Sequence, residues 1–177
     1  TTLVGHESLL LGAPPSLTLT ELAQRAGTSM EVAQKFWRAM GFADVQPDEV
    51  RFTDQDVAAL QDTVALLDET SDSSLASASV LELLRAQSYT MDRLVLWELE
   101  TFVTDLSERL GLDDTAARLV ALDRIDGLVE LLSRQLTYVW RRHMASILGR
   151  TDAEVSTRGR EDTGPDLYQL IDRKSTR

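Results

Sequence analysis

LVALDRIDGLVELLSRQLTYVWRRHMASIL, residues 119–148, is the stretch from which the fold is read. Its apolar positions Leu122, Ile125, Val129, Leu132, Leu136 and Val139 are spaced three, four, three, four, three, which is a heptad seam on one long helix. In the same register the next positions are His143 and Ser146, so the aliphatic stripe ends in an ionisable ring. A second row, Leu128, Leu131 and Tyr138, lies beside the first, and the apolar face is wider than a two-stranded seam needs. One side of such a helix can pack on its own domain while the other meets a second subunit.

Upstream, Val80 to Leu110 also reads as helix, with Leu81, Leu84, Leu94, Val95, Trp97, Leu99, Phe102, Val103 and Leu106 as buried candidates. Ser88-Tyr89-Thr90 suggests a break or bend. Gly111 closes this helix, and Asp113 and Asp114 cap the long one, which is expected to reach about Gly149. Two such helices cannot bury all this apolar surface alone. Dimerisation through the 122–146 seam is the natural completion.

The first part of the chain carries shorter elements. Residues 1–15 form a loose segment with one apolar patch, Leu9-Leu10-Leu11. Thr18 or Thr20 can cap a helix through Leu22 and Ala23 to Ala26, stopped by Gly27. Ser29 caps a second, Met30 to Met40, with Val32, Phe36 and Met40 on one face. Helix, three-residue turn and helix make a helix-turn-helix unit. Residues 42–52 alternate weakly around Pro47 and Asp48, as a small hairpin or wing would. Thr53 opens a third helix that points Val57, Leu60, Val64 and Leu67 inward. Residues 68–79, rich in Ser and Asp, read as a linker and subdomain boundary. The expected architecture is all-α: a winged helix-turn-helix-like subdomain (16–68), a long-helix hairpin or bundle (76–149) that dimerises, and a polar linker (150–177) to an absent domain.

Composition narrows the function. A net charge of −11 disfavours nonspecific attraction to DNA or anionic lipid unless basic residues cluster. With no cysteine there is no disulfide framework, thiolate chemistry or Cys-ligated metal, which fits a cytoplasmic chain. No apolar run approaches the roughly 18 residues of a membrane span. Thr1 in place of an initiator methionine suggests a processed or excised segment, and its first residues lack the basic start of a signal peptide. Catalysis finds no motif: no Gly-rich phosphate loop, no His pair spaced for a metal, no nucleophile with an evident base. No metal or cofactor is expected. The run Glu98, Glu100, Asp105, Glu108 reads as a solvated helix face.

Two resemblances follow from these residues. Leu19-Thr20-Glu21-Leu22-Ala23, Ala26-Gly27-Thr28-Ser29 and Arg51-Phe52-Thr53-Asp54-Gln55-Asp56-Val57 resemble the MerR-type winged helix-turn-helix over about the first 60 residues. The family's Arg and aromatic pair on the second helix fall on Lys35, Phe36 and Trp37, with Lys in place of Arg. Over nearly the whole chain, the layout with Arg142-His143-Met144 and a polar linker is similar to the N-terminal regulatory domain of actinobacterial, mycobacterial-type class III adenylate cyclases. That resemblance implies an all-helical homodimer. It would set the activity of a following C-terminal cyclase domain in response to pH, and bind a fatty acid. The cyclase's own catalytic residues would lie beyond Arg177.

These resemblances leave two functional readings. In the first, the chain is the regulatory, autoinhibitory segment of a cyclase, and His143 is its pH switch. Histidine changes charge between about pH 5 and 8. In a parallel seam two imidazolium ions would face and repel each other, with Arg141 and Arg142 acting in the same direction. In an antiparallel seam burial near Leu122 would oppose protonation. A partly solvated, idle seam-end histidine is the plainer alternative, and His6 is read as idle. Trp97, Phe102, Tyr138, Trp140 and Met144 can line a pocket for a long apolar ligand, although aromatics at helical spacing are more often core. In the second reading, the chain is a MerR-like transcription regulator whose DNA contacts are Lys35, Arg38 and Arg51. Asp44, Asp48, Asp54 and Asp56 stand near those cations in sequence and would repel phosphate, so nucleic acid is not an expected partner.

Overall fold

Capping decides where the first helices begin and end. Thr18 accepts from the Glu21 amide, and the Glu21 carboxylate accepts in return from the Thr18 amide at 2.8 Å, a reciprocal cap for α2 (Leu19–Ala26). Gly27 ends α2 in the left-handed region at φ 72°, where a side chain would be strained. Ser29 accepts from the Val32 amide and starts α3 (Met30–Ala39). The Asp56 carboxylate accepts from both the amide and the hydroxyl of Thr53 and starts α4 (Asp54–Leu67). The computed structural model describes residues 3–70, 72 and 74–162. A short α1 (Leu3–Leu10) precedes these helices, and α5 (Ser77–Leu110) and α6 (Asp114–Asp162) follow. The side chain of His6 and the tail from 163 lie outside the described residues.

All regular structure among the described residues is helical. The expected hairpin or wing at 42–52 does not form. Leu17 and Phe52 instead make one isolated antiparallel bridge, with amide to carbonyl distances of 2.9 and 3.0 Å. The loop is pinned from inside. The Trp37 indole donates to the Ala43 carbonyl at 2.8 Å, its ring lies 4.5 Å from Phe42 and meets Phe52 edge-on at 5.0 Å, and Val45 is buried. Weak alternation came from side chains folding onto α3, not from strand pairing.

Two apolar clusters carry unit one, residues 1–126. The first gathers Leu17, Leu19, Leu22, Phe36, Phe52, Val57 and Leu60 from α2, α3, α4 and their connections. The buried face of α3 is Ala33, Phe36 and Ala39. Val32 and Met40 are half-buried, and Thr63 of α4 is buried with its hydroxyl donating to the Ala59 carbonyl. The 68–76 segment does connect α4 to α5, yet Val80 is buried, Leu84 packs on this cluster and the Ser88 hydroxyl donates to the Met40 carbonyl. The first half of α5 is thus part of the same unit as α2–α4.

The second cluster joins the end of α5 to the start of α6. Val103 and Leu106 meet Ala117 and Ala121, with Leu99, Phe102, Leu112 and Val120 around them. Gly111 makes the turn at φ 64°, and the Asp113 carboxylate accepts from the Ala116 amide at 2.8 Å. Two alanines, Ala117 and Ala121, supply the α6 side of this contact.

Three expectations need correction. α5 runs unbroken through Ser88-Tyr89-Thr90, where the Thr90 hydroxyl donates to the Ala86 carbonyl within its own helix. Val95 and Trp97 are exposed, not buried. α6 passes Gly149 and continues to Asp162, so 150–162 is helix where a linker was expected; its polar composition marked solvation, not irregular backbone. Unit two, residues 127–177, is described through this helix up to 162.

The first cluster holds three helices through few large side chains. Leu60→Ala is therefore expected to cost about 2–5 kcal/mol, read as a lowered urea midpoint.

Candidate functional site

The α6 stripe is the first candidate. Ile125, Val129, Leu132 and Leu136 are half-buried, and Leu122 and Val139 are exposed. Leu131 and Tyr138 of the second row are exposed and Leu128 is half-buried. A helix of this length gains most of its stability from what packs on its apolar face. Covering the remaining exposed half of each stripe residue contributes on the order of 1 kcal/mol apiece.

His143 follows the stripe in register and is exposed, as are Arg141 and Arg142. Of the residues expected to line an apolar pocket, Trp97, Tyr138, Trp140 and Met144 are exposed. Phe102 is half-buried against the Val103 and Leu106 cluster. Trp140 and Met144 stand four residues apart on one face of α6.

The start of α6 is fixed to α5 by charge. Arg118 donates to both oxygens of Glu100, at 2.8 and 3.1 Å, and to Asp114 at 2.9 Å. This fork holds the Glu100 carboxyl below its ordinary range and the Arg118 guanidinium above its own. Glu100 is exposed, as a member of a solvated face would be, and it also bridges the two longest helices. Its signal in the sequence, an acid eighteen residues before an arginine, carries no local period.

The cations proposed for DNA are mostly committed elsewhere. Lys35 pairs with Glu31 at 2.7 Å, and Arg38 donates through its NH2 group to Asp44 at 2.8 Å. Hydrogen bonds from these cations hold the carboxyls of Glu31 and Asp44 low. Arg51 is exposed. Phe36 and Trp37 belong to the core. These pairs neutralise Lys35 and Arg38 locally.

Sequence reasoning missed a second feature. A groove of about 820 Å³ lies between the end of α3, with Met40 and Phe42, and the middle of α5, with Tyr89, Val95 and Leu96. Apolar residues were marked on α5, but not their place beside the end of α3.

No helix among the described residues is long and apolar enough to cross a membrane, and no cluster of His, Asp or Glu among them could hold a metal ion. Fold and surface together define an all-helical segment whose apolar helix faces are incompletely covered within one chain. No family model matches it. The chain is 31% identical over 174 residues to an adenylate cyclase of Glutamicibacter nicotianae, which covers 94% of this chain and 42% of that protein. It is also 36% identical to an adenylate cyclase of Streptomyces coelicolor and 34% identical to one of Streptomyces griseus, over 81% of this chain in each case. The chain spans 36% and 35% of those two proteins, and so less than half the length of each relative.

The Arg118 fork makes a pH prediction. A carboxyl with a lowered folded pKa contributes stability above its unfolded value and loses that contribution as pH falls through the folded value. Glu100→Gln is therefore expected to lower the urea midpoint at about pH 7, with the gap to the parent chain closing as pH falls below the ordinary glutamate value of about 4.3.

Proposed function

We propose that the chain is the regulatory, dimerising segment of a class III adenylate cyclase that works in the cytoplasm. The observation that carries this reading is similarity to adenylate cyclases along 94% of the chain, while the chain spans only 42% of that relative. A segment of this share leaves room for a separate catalytic domain in the same protein. The incompletely covered α6 stripe supports a helical joint between two copies, through Leu122, Ile125, Val129, Leu132, Leu136 and Val139.

Class III catalytic sites, by the resemblance, form between two cyclase domains. The orientation of the paired α6 helices then biases whether those sites assemble, which is a two-state element. His143 sits in the seam register with Arg141 and Arg142 beside it, so protonation adds charge where two helices meet. The fatty acid response is read onto Trp97, Phe102, Tyr138, Trp140 and Met144. The α2–α4 cluster, with its cations paired and no wing among the described residues, acts as a packing module in this reading and not as a DNA reader.

The test compares cyclase activity of the full-length protein against pH for the parent and His143→Ala. The variant is expected to flatten the profile between about pH 5 and 8. An unchanged profile removes His143 from the account. A full-length protein without cyclase activity at any pH removes the whole reading.

A further inference from the structure

Residues 131–151 reverse the sign of the chain. They hold Arg134, Arg141, Arg142 and Arg150 and no Asp or Glu, inside a sequence of net charge −11. All four arginines are exposed, and none has an ion-pair partner among the described residues. Screening limits the reach of each charge to about 10 Å at about 0.1 M salt, so the local sign decides what this stretch attracts.

The same turns of α6 expose apolar side chains. Trp140 is 57% exposed, Met144 40% and Leu148 59%. They stand four residues apart, in one row along the helix. At about 100° per residue, the row lies roughly 110° round the helix from the seam of Leu132, Leu136 and Val139, and so outside it. Arg141 and Arg134 border the row on its far side, and the exposed Tyr138 follows them.

Charge and apolar surface together select the partner. At the edge of a bilayer, acyl chains and anionic headgroups lie within one long side chain of each other. An exposed helix with an aromatic and aliphatic row edged by arginines matches that boundary. Arginine stems lie along apolar surface while their guanidinium groups reach the phosphates, and Trp and Tyr settle at the same depth. Duplex DNA offers the charge without an apolar layer for Trp140, Met144 and Leu148. One exposed helix is also convex, so by itself this face suits a surface and not an enclosed small molecule.

We propose that residues 131–151 of α6 lie along the surface of an anionic bilayer, with Trp140, Met144 and Leu148 at the acyl boundary and Arg134 and Arg141 on the headgroups. The helix lies on the membrane and does not cross it. The row is outside the seam register, so the proposal needs neither the α6 joint nor the cyclase reading.

Vesicle sedimentation tests it on the 177-residue chain, with circular dichroism to confirm that each variant is folded. The probes are vesicles of phosphatidylglycerol and phosphatidylcholine in equal parts, and vesicles of phosphatidylcholine alone. The parent chain is expected to bind the anionic vesicles at least about tenfold more tightly than the neutral ones, and less tightly as salt is added. Arg134→Gln combined with Arg141→Gln is expected to weaken that binding at least about tenfold. Trp140→Ala combined with Leu148→Ala is expected to weaken it by a similar factor, through lost apolar burial. No preference for anionic vesicles, or a preference that either double variant keeps in full, would overturn the proposal. Binding to duplex DNA without binding to vesicles would overturn it too, and would assign the basic stretch to nucleic acid.

Discussion

A long helix in water keeps its shape only while something shields its oily side, and that constraint governs this protein. α6 runs from Asp114 to Asp162, yet among its described side chains only Ala117 and Ala121, in its first turns, are fully buried. Further along, the best-covered apolar residues are half-buried. Small residues line the contact between the end of α5 and the start of α6, and Arg118 bridges Glu100 and Asp114 there. From there the stripe continues in heptad register without a complete cover within the chain.

The compact part answers a different demand. α2, α3 and α4 are each too short to persist alone, and they survive by sharing Leu22, Phe36, Phe52 and Leu60. Trp37 then draws the 42–52 loop onto that cluster by a hydrogen bond and two ring contacts. The residues that resemble a DNA-reading helix are spent on this packing.

Local chemistry was legible in the sequence. Thr18, Ser29 and Thr53 as helix starts, and Gly27 and Gly111 as stops, need only the neighbouring few residues, and the structure has them in those places. The heptad from Leu122 to Val139 was visible for the same reason. What periodicity cannot supply is the identity of the cover. Val95 and Trp97 looked like core because apolar residues at helical spacing usually are, but both are exposed. The wing failed because a short alternating run does not say whether its residues pair across a strand or turn inward on a helix. Residues 150–162 are polar enough for a linker and still helical, since exposed polar side chains do not break a helix. For the candidate site, the stripe and His143 came from pattern, whereas the Arg118 fork and the α5 groove needed the tertiary arrangement.

Amide hydrogen exchange along residues 127–148 reaches the central claim most directly. A second copy over the stripe predicts protection of these amides that rises with protein concentration through the micromolar range. Exchange as fast as that of a fraying helix at every concentration, or protection that does not depend on concentration, would contradict it.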